Sequence, residues 1–407
     1  MLQCGLLGEK LGHSYSPAIH GMLGDYRYSL FERPPEAVED FLKKGVWDGL
    51  NVTIPYKKTV VPYCAELSET AERIGSVNTL VRRSDGSLYG DNTDAYGFLR
   101  MVKRSGIRPE GKKTLILGSG GASVMAVAMM KSLGADPVIV ISRSGADNYQ
   151  NLDRHADAQI IVNTTPVGMY PKNGESAVDL ACFPACEGVL DVVYNPARTA
   201  LILQAESLGI PCASGLVMLV AQAKRSAELF TDAAIEDSEI DRIEEALSRS
   251  MQNIILIGMP GCGKSSIAAL LGERLSRPVY EADALIVQKA GCSITEIFAK
   301  EGEEGFRLRE TEVLAELGKL SGGVISTGGG CVTRAENYPL LHQNGRIFWL
   351  QRDLALLPKE GRPISMKSDL RELFAKRRAQ YERFADVVVD NNGSPEETVR
   401  QILEVLG

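Results

Sequence analysis

A glycine-rich stretch in the second half of the chain, GMPGCGKSS at residues 258–266, restricts the possible folds more than any other feature. It follows the apolar run Ile254–Ile257 and precedes SIAALLGERL, which has the composition of a helix. The stretch fits the pattern G-x-x-x-x-G-K-[ST], whose backbone N–H groups surround phosphates between a strand and a helix. This context predicts a nucleotide-binding α/β domain, in which Lys264 reaches the β- and γ-phosphate oxygens and Ser265 ligates Mg²⁺. The loop residues expected at the nucleotide are Gly261, Cys262, Gly263, Lys264, Ser265 and Ser266.

The position of this loop implies that the first 250 residues form a separate part of the protein. The chain has 407 residues, and at roughly 150 residues per domain this length predicts two or three domains. Strand-like and helix-like runs alternate along most of it, which is typical of α/β layers with parallel sheets. Residues 230–251 carry apolar side chains at helical spacing, so we expect a closing helix there and a domain boundary near residue 250.

Composition and charge narrow the class of protein. The net charge of −7 and the pI of about 5.4 disfavour a nucleic-acid-binding protein, since such proteins depend on positive charge. The longest uncharged run, residues 114–130, is interrupted by glycines and predicts a strand, a turn and a buried helix instead of a membrane span. The N-terminus lacks a basic leader segment, and the eight cysteines are scattered without a CxxC pair. We therefore expect a cytoplasmic protein with reduced thiols.

A second glycine-rich turn lies in the front half. The apolar run at residues 112–117 leads into GSGGASV, a context in which glycines let the backbone approach a pyrophosphate at a helix N-terminus. At the end of the next strand stand Ser142 and Arg143, where an NAD-binding site would carry an acidic residue. A cation and hydroxyls suit a 2′-phosphate, so the sequence predicts NADP. The turn residues expected at the cofactor are Gly118, Ser119, Gly120, Gly121 and Ala122.

Seven motifs of the front half resemble, in order, those of shikimate dehydrogenases. They are HSYSP (13–17), GLNVTIPYKK (49–58), SVNTL (76–80), GDNTDAYGF (90–98), NTTPVGM (163–169), VVYNP (192–196) and GLVMLVAQA (215–223). The resemblance covers residues 1–249. It implies an α/β substrate subdomain at about residues 1–97 and 216–249 and a Rossmann-like NADP subdomain at about residues 98–215.

The resemblance also implies how the front half acts. Reduction of a ring ketone needs a hydride from the nicotinamide and a proton for the oxygen, so a titratable group must lie within hydrogen-bond reach of that oxygen. By resemblance, Lys57 and Asp94 form the catalytic pair, and the division of proton transfer between them stays open. By the same resemblance the substrate pocket is lined by Ser14, Ser16, Thr53, Asn78, Tyr194 and Gln222. Gly215 is expected at the cofactor.

The back half, residues 251–407, resembles shikimate kinases. The motifs are VYEADALIV, VISTGGGCV, GRPIS and FAKRRAQYERFADVVVD. The resemblance implies a P-loop kinase domain with a parallel sheet flanked by helices, with ATP and Mg²⁺ as cofactors. It places Asp283 on the shikimate hydroxyls, Arg307 and Arg377 on its carboxylate, and the backbone of Gly329 beside it. Arg362 would reach the ATP phosphates from a lid.

Three regions depart from the two families. Residues 143–163 are compact where shikimate dehydrogenases usually have a further helix and strand, so we expect an edge element of the NADP subdomain to be missing. Shikimate kinases usually have D-x-D after the second strand, and here Glu281 takes the first position. Its carboxylate still suits the Mg²⁺ shell, directly or through water. Residues 350–362 are short for the segment that leads to the lid.

The interpretation that follows is a bifunctional enzyme of aromatic amino acid biosynthesis, which makes shikimate from 3-dehydroshikimate with NADPH and then phosphorylates it with ATP. Two alternatives remain at this point. The kinase-like half could be a non-catalytic binding or regulatory module, or the front half could be an NAD-linked quinate or shikimate dehydrogenase. The expected partners are small molecules, without nucleic acid or membrane. The oligomeric state and any channelling between the sites do not follow from the sequence.

Overall fold

The computed structural model describes residues 1–12, 14–357 and 370–407. They form two compact units. The first comprises Met1–Met169, Glu175–Tyr194 and Leu201–Ala246, and the second comprises Tyr170–Gly174, Asn195–Ala200 and Leu247–Gly407.

The first unit begins with a six-stranded mixed sheet. Its strands are β1 (Gln3–Gly8), β2 (Arg27–Glu32), β3 (Gly49–Val52), β4 (Glu66–Leu67), β5 (Thr79–Arg82) and β6 (Leu88–Asp91), in the order β2-β1-β3-β5-β6-β4. β1 runs parallel to β2 and β3, whereas β5 is antiparallel to both β3 and β6. The carboxyl ends of β1, β3 and β6 and the amino end of β5 therefore meet at one edge of the sheet. The predicted site residues of this segment follow or precede the strands at this edge: Ser14, Ser16, Thr53, Lys57, Asn78 and Asp94.

A five-stranded parallel sheet follows in the same unit. Its strands are β7 (Thr114–Leu117), β8 (Val138–Ile141), β9 (Ile160–Asn163), β10 (Gly188–Asp191) and β11 (Cys212–Ser214), in the order β11-β10-β9-β7-β8. β7, β9 and β10 are buried along their whole length, which explains their near-continuous apolar sequences. The helices of this part of the chain are α1 (Ser16–Leu23), α2 (Pro35–Lys44), α3 (Glu69–Ile74), α4 (Asp94–Ser105), α5 (Gly121–Ser132), α6 (Ala200–Ser207), α7 (Leu216–Thr231) and α8 (Ser238–Met251).

The second unit is built on another five-stranded parallel sheet. Its strands are β12 (Asn253–Ile257), β13 (Val279–Glu281), β14 (Val324–Ser326), β15 (Gly345–Gln351) and β16 (Val387–Asp390), in the order β13-β14-β12-β15-β16. The helices are α9 (Lys264–Leu275), α10 (Ala282–Ala290), α11 (Ile294–Leu317), α12 (Asn337–His342), α13 (Leu370–Phe384) and α14 (Pro395–Leu406). The central strand β12 is fully buried and leads directly into the glycine-rich loop. The predicted α/β class with parallel sheets is confirmed. Among the helices of the described ranges, none is both long and apolar enough to cross a membrane.

Candidate active sites

Lys57 and Asp94 meet at the polar edge of the first sheet. Lys57 lies in the turn after β3, and Asp94 is the first residue of α4. Lys57 Nζ lies 2.5 Å from Asp94 Oδ2, and the two side chains are 30% and 20% exposed. The turn is fixed by a hydrogen bond from the Val77 N–H to the Lys57 carbonyl, 2.8 Å. The structure thus brings together an ammonium and a carboxylate that solvent, and hence a ligand, can reach.

Asn78 lies next to this pair and is fixed in one orientation. Its Oδ1 accepts hydrogen bonds from the backbone N–H of Thr93, 2.7 Å, and from the Thr93 hydroxyl, 3.1 Å. Thr93 immediately precedes Asp94, so the same contacts fix the start of α4. With its oxygen used in this way, the amide N–H₂ group of Asn78 is the part that can donate to a ligand.

A buried group of polar side chains lies beneath these residues, and we call it the hydroxyl cluster: Asn51, Thr79, Thr93 and Ser226. Ser226 Oγ lies 2.7 Å from Asn51 Nδ2, 2.9 Å from Thr79 Oγ1 and 3.0 Å from Thr93 Oγ1. It also donates to the carbonyl of Gln222, 2.9 Å. All four side chains are at most 5% exposed. The cluster therefore joins Thr93 to the helix that carries Gln222, and sequence reasoning missed it.

The other predicted substrate residues of the first unit lie on neighbouring segments. Ser14 Oγ accepts the backbone N–H of Ser16, 3.2 Å, after the carboxyl end of β1. Thr53 directly follows β3, and its N–H donates to the carbonyl of Leu7, 2.9 Å. The ring of Tyr194 packs edge-on against Tyr15 with centroids 6.1 Å apart, and burial raises the pKa of its phenol. These contacts fix the positions of Ser14, Thr53 and Tyr194. No hydrogen bond among the described residues joins any of the three to Lys57 or Asp94.

The predicted NADP residues surround the carboxyl ends of the second sheet. The turn after β7 ends at Gly120, which is the N-cap of α5, and residues 119–121 are partly or fully exposed. An exposed helix N-terminus of this kind binds phosphate. Arg143 is exposed directly after β8. Gly215 caps α7, where a Cβ would lie 2.1 Å from the Val192 carbonyl oxygen, so only glycine fits.

Residues 142–159, all of which the structure describes, contain no α-helix and no named strand. Between β8 and β9 the chain forms only a one-residue bridge, Ser142 to Asn148, and a short 3₁₀ helix, Leu152–His155. β8 is consequently the last strand of its sheet.

In the second unit, the glycine-rich loop turns tightly around the Lys264 side chain. Lys264 is 6% exposed, and its Nζ donates to the carbonyls of Gly258, 2.9 Å, and Met259, 3.1 Å. Asn391, which sequence reasoning missed, donates from Nδ2 to the Cys262 carbonyl, 2.5 Å. Its Oδ1 accepts the hydroxyl of Thr398, 2.7 Å. The loop is thereby fixed from the end of β16.

Ser265 and Glu281 are in contact, and two residues that ligate the same metal ion must lie this close. The hydroxyl of Ser265 donates to Glu281 Oε2 over 3.0 Å. No group of three or more His, Cys, Asp and Glu side chains in the described ranges is arranged to hold a metal ion. Mg²⁺ in nucleotide sites typically takes one or two protein oxygens and completes its shell with phosphates and water. This hydroxyl and carboxylate fit that pattern.

The predicted substrate residues of the second unit form one polar pocket, in which the two arginines are buried and Asp283 and Gly329 are half-buried. Arg307 on α11 and Arg377 on α13 are each 5% exposed. Arg377 Nη1 and the hydroxyl of Tyr381 both donate to the Gly329 carbonyl, at 3.1 and 2.5 Å. A Cβ on Gly330 would lie 2.1 Å from Arg307 Nη2. The triple-glycine turn thus packs directly against the cations, which are not surface charges.

Glu310, three positions after Arg307 on α11, completes this pocket. It is fully buried, and Oε2 accepts from Arg307 Nη1 over 2.6 Å. Burial raises the pKa of the Glu310 carboxyl, against the opposing effect of Arg307. A Cβ on Gly328 would lie 2.4 Å from Glu310 Oε1 and 2.9 Å from Asp283 Oδ1, so the two carboxylates face the same point.

Three buried atoms of this pocket have no hydrogen-bond partner among the described residues: Asp283 Oδ1, Arg307 Nε and Glu310 Oε1. Buried polar atoms are almost always satisfied in folded proteins. Their convergence indicates a pocket for a polar ligand. The predicted lid residue Arg362 lies outside the described residues.

Comparisons with known proteins agree with both parts of this description. Residues 6–80 match the family model of the shikimate dehydrogenase substrate binding domain, and residues 260–407 match that of shikimate kinase. A shikimate dehydrogenase (NADP(+)) of Clostridium perfringens is 34% identical over 265 residues, which are 60% of this chain and 97% of that protein.

Solved structures that contain a shikimate dehydrogenase are similar to about 60% of this chain. A chorismate mutase/shikimate 5-dehydrogenase fusion protein from Clostridium acetobutylicum is similar with a TM-score of 0.57 and 36% identity, over 61% of this chain and 97% of that one. Shikimate 5-dehydrogenase from Thermus thermophilus, in complex with NADP(H) and shikimate, has a TM-score of 0.55 and 30% identity, over 60% and 99% of the two chains. The chain therefore belongs to the shikimate dehydrogenase family and continues, over residues 260–407, into a shikimate kinase domain.

Proposed function

We propose that the chain is a bifunctional enzyme that reduces 3-dehydroshikimate to shikimate with NADPH and then phosphorylates the 3-hydroxyl of shikimate with ATP. The observation that carries the proposal is that each half assembles its own reactive groups. Lys57 and Asp94 are in contact in the first unit, and a phosphate-binding loop accompanies a pocket of buried arginines and carboxylates in the second. One chain thus holds the groups for two reactions in which the product of the first is the substrate of the second.

In the first reaction the protein has to deliver a proton. Bound NADPH supplies the hydride to the carbonyl carbon. The Lys57 ammonium donates a proton to the developing alkoxide, and Asp94 holds Nζ toward that oxygen. The N–H₂ of Asn78, Thr53 and the hydroxyls of Ser14 and Ser16 hold the polyhydroxylated substrate, together with Tyr194 and Gln222. Ser142 and Arg143 hold the 2′-phosphate of the cofactor, and the turn at Gly118–Ala122 and Gly215 bind the rest of it.

In the second reaction the protein positions two substrates and neutralises charge. Arg307 and Arg377 hold the shikimate carboxylate. The oxygen of the shikimate 3-hydroxyl attacks the γ-phosphorus, and Asp283 accepts the proton of that hydroxyl. The bond between the γ-phosphorus and the β–γ bridging oxygen breaks at the same time. Lys264 moves from the loop carbonyls to the β- and γ-oxygens, and Ser265 and Glu281 hold Mg²⁺. Arg362 is proposed to stabilise the transferred charge.

A coupled assay on the whole chain tests the proposal. With 3-dehydroshikimate, NADPH and ATP supplied, the wild type should oxidise NADPH and form shikimate 3-phosphate. We expect Lys57→Ala to slow only NADPH oxidation, by about 10²–10⁴-fold, while supplied shikimate is still phosphorylated. Lys264→Ala should abolish only phosphorylation. Lys58→Ala, which replaces an exposed neighbouring lysine, should change neither rate.

The same assay separates the alternatives. Shikimate binding without any phosphorylation by the wild type would identify the second unit as a binding module and refute the bifunctional reading. A higher kcat/KM with NADH than with NADPH, or with quinate than with shikimate, would favour an NAD-linked dehydrogenase instead.

A further inference from the structure

The segment that replaces the missing edge element is an ordered loop beside the cofactor turn. We call residues 142–151, which connect β8 to the 3₁₀ helix Leu152–His155, the 142–151 loop. The N–H of Gly118 donates to the carbonyl of Ile141 over 2.8 Å. The loop therefore starts next to the glycine turn that is proposed to bind the pyrophosphate.

The loop is folded by its own hydrogen bonds. Asn148 and Asn151 contact each other, because the Asn148 N–H donates to Asn151 Oδ1 over 2.8 Å. Their side-chain amides donate to the carbonyls of Gly145, 3.1 Å, and Ala146, 2.9 Å. The N–H of Ser142 donates to the Asp147 carbonyl, 3.2 Å. The backbone at Ser142 and Arg143 is therefore held by Asp147.

Asp147 is in turn held by a buried histidine. His155 is 7% exposed, and its Nε2 lies 2.9 Å from Asp147 Oδ1. An ionised carboxylate only accepts hydrogen bonds, so His155 donates through Nε2. Tyr149 and Leu152, on either side of the loop's end, pack against the apolar core of the second sheet. His155 thus connects the loop to a fixed part of the subdomain through a charged hydrogen bond, which is the stronger class of such bonds.

We infer that His155 is a positioning residue for recognition of the cofactor's 2′-phosphate: through Asp147 and the backbone of Ser142 it sets the place of Arg143. The inference rests on the proposed NADP-dependent activity. Arg143 itself is exposed, so the position of its guanidinium depends on the backbone that carries it.

Steady-state kinetics of the dehydrogenase reaction on the full chain test the inference. We expect His155→Ala to raise the KM for NADPH about tenfold, a loss of about 1.4 kcal/mol, because Arg143 is no longer held in place. The KM values for NADH and for 3-dehydroshikimate should stay within about twofold, because neither ligand carries the 2′-phosphate. His155→Gln keeps a donor near the position of Nε2 and should restore most of the NADPH affinity.

A double-mutant cycle tests whether His155→Ala changes the KM for NADPH by displacing Arg143. In an Arg143→Ala background, His155→Ala should add little to the KM for NADPH. Independent, multiplicative effects of the two changes would overturn the inference, and so would an equal rise in the KM for 3-dehydroshikimate. If Arg143→Ala alone leaves the NADPH-to-NADH preference unchanged, the proposed NADP site has failed, which is a different result from failure of the histidine's role.

Asp147→Ala provides a second route should His155→Ala not fold. It removes the same hydrogen bond from a side chain that is 38% exposed. Removal of the Asp147 charge would by itself strengthen binding of an anionic cofactor and lower the KM for NADPH. A raised KM for NADPH would therefore support the positioning role. An unchanged or lowered KM would contradict it.

Discussion

The two sites hold their charged groups in opposite ways. In the kinase domain Arg307, Arg377 and Glu310 are at most 5% exposed and are enclosed by the triple-glycine turn. In the dehydrogenase part Lys57 and Asp94 are 30% and 20% exposed and contact each other at the edge of a sheet. Buried charges are costly unless they are paired, whereas exposed pairs contribute little to stability. We therefore expect substrate binding and folding to be coupled at the proposed kinase pocket and largely separate at the proposed dehydrogenase pair.

The largest effect is expected for Arg307→Ala. The change leaves the Glu310 carboxylate buried without its cation, which costs about 3–5 kcal/mol when a buried pair is broken from one side. It also removes a proposed ligand of the shikimate carboxylate. We expect a large fall in the urea midpoint of the kinase domain together with loss of shikimate phosphorylation.

Two further variants sharpen this prediction. Arg309 lies on the same helix, but its side chain is 37% exposed and pairs with that of Glu301, which is 36% exposed. The unfolding midpoint and the activity of Arg309→Ala should therefore match those of the wild type. Adding Glu310→Gln to Arg307→Ala removes the unpaired charge and should recover stability without recovering activity. Equal destabilisation by Arg307→Ala and Arg309→Ala would show that burial of the Arg307–Glu310 pair does not cause the loss of stability.

At the dehydrogenase pair we expect the reverse pattern for Asp94→Asn. The amide is isosteric but cannot hold Nζ electrostatically, so kcat should fall by about 10²–10³-fold. The free energy of unfolding should change by no more than about 1 kcal/mol, since the pair is partly solvated. The comparison uses Asp85→Asn, an exposed carboxylate in the turn between β5 and β6, which should leave kcat unchanged. If Asp94→Asn lowered the free energy of unfolding strongly, the two sites would not differ in how much their charged groups contribute to stability.

The sequence was informative where the proposed function depends on residues within one short motif. Lys57, Asp94, Lys264 and Ser265 lie in such motifs, and the α/β folds follow from runs of apolar residues between glycine turns. The contact of Ser265 with Glu281 agrees with the assignment of both residues to Mg²⁺ from the sequence, because β12 and β13 end at the same edge of one parallel sheet, with β14 between them.

What the sequence did not give is the support beneath these residues. Ser226 reaches Asn51, 175 positions away, and Asn391 reaches the Cys262 carbonyl, 129 positions away. Glu310 looks like an ordinary helix-surface partner of Arg307 until the packing of the triple-glycine turn is known. Such contacts arise from the tertiary arrangement of distant elements, and no local spacing records them. The only available signal was a polar residue on an otherwise apolar segment, as with Asn51 in β3 and Ser226 in α7.

The smallest effect is expected for Glu281→Asp, which tests a half-buried carboxylate in the proposed kinase site. The shorter side chain withdraws the carboxylate by one methylene from the Ser265 hydroxyl, to which Glu281 Oε2 is 3.0 Å distant in the wild type. Mg²⁺ tolerates little departure from its preferred oxygen distances. We expect the Mg²⁺ concentration for half-maximal phosphorylation to rise about three- to tenfold, a penalty of roughly 1 kcal/mol, while the KM for shikimate and the unfolding midpoint stay unchanged. Glu312→Asp, at an exposed position of α11, should leave the Mg²⁺ requirement as it is. A Glu281→Asp enzyme with wild-type Mg²⁺ dependence would show that the metal is held without this carboxylate, and a changed KM for shikimate would mean that Glu281 belongs to the buried pocket after all.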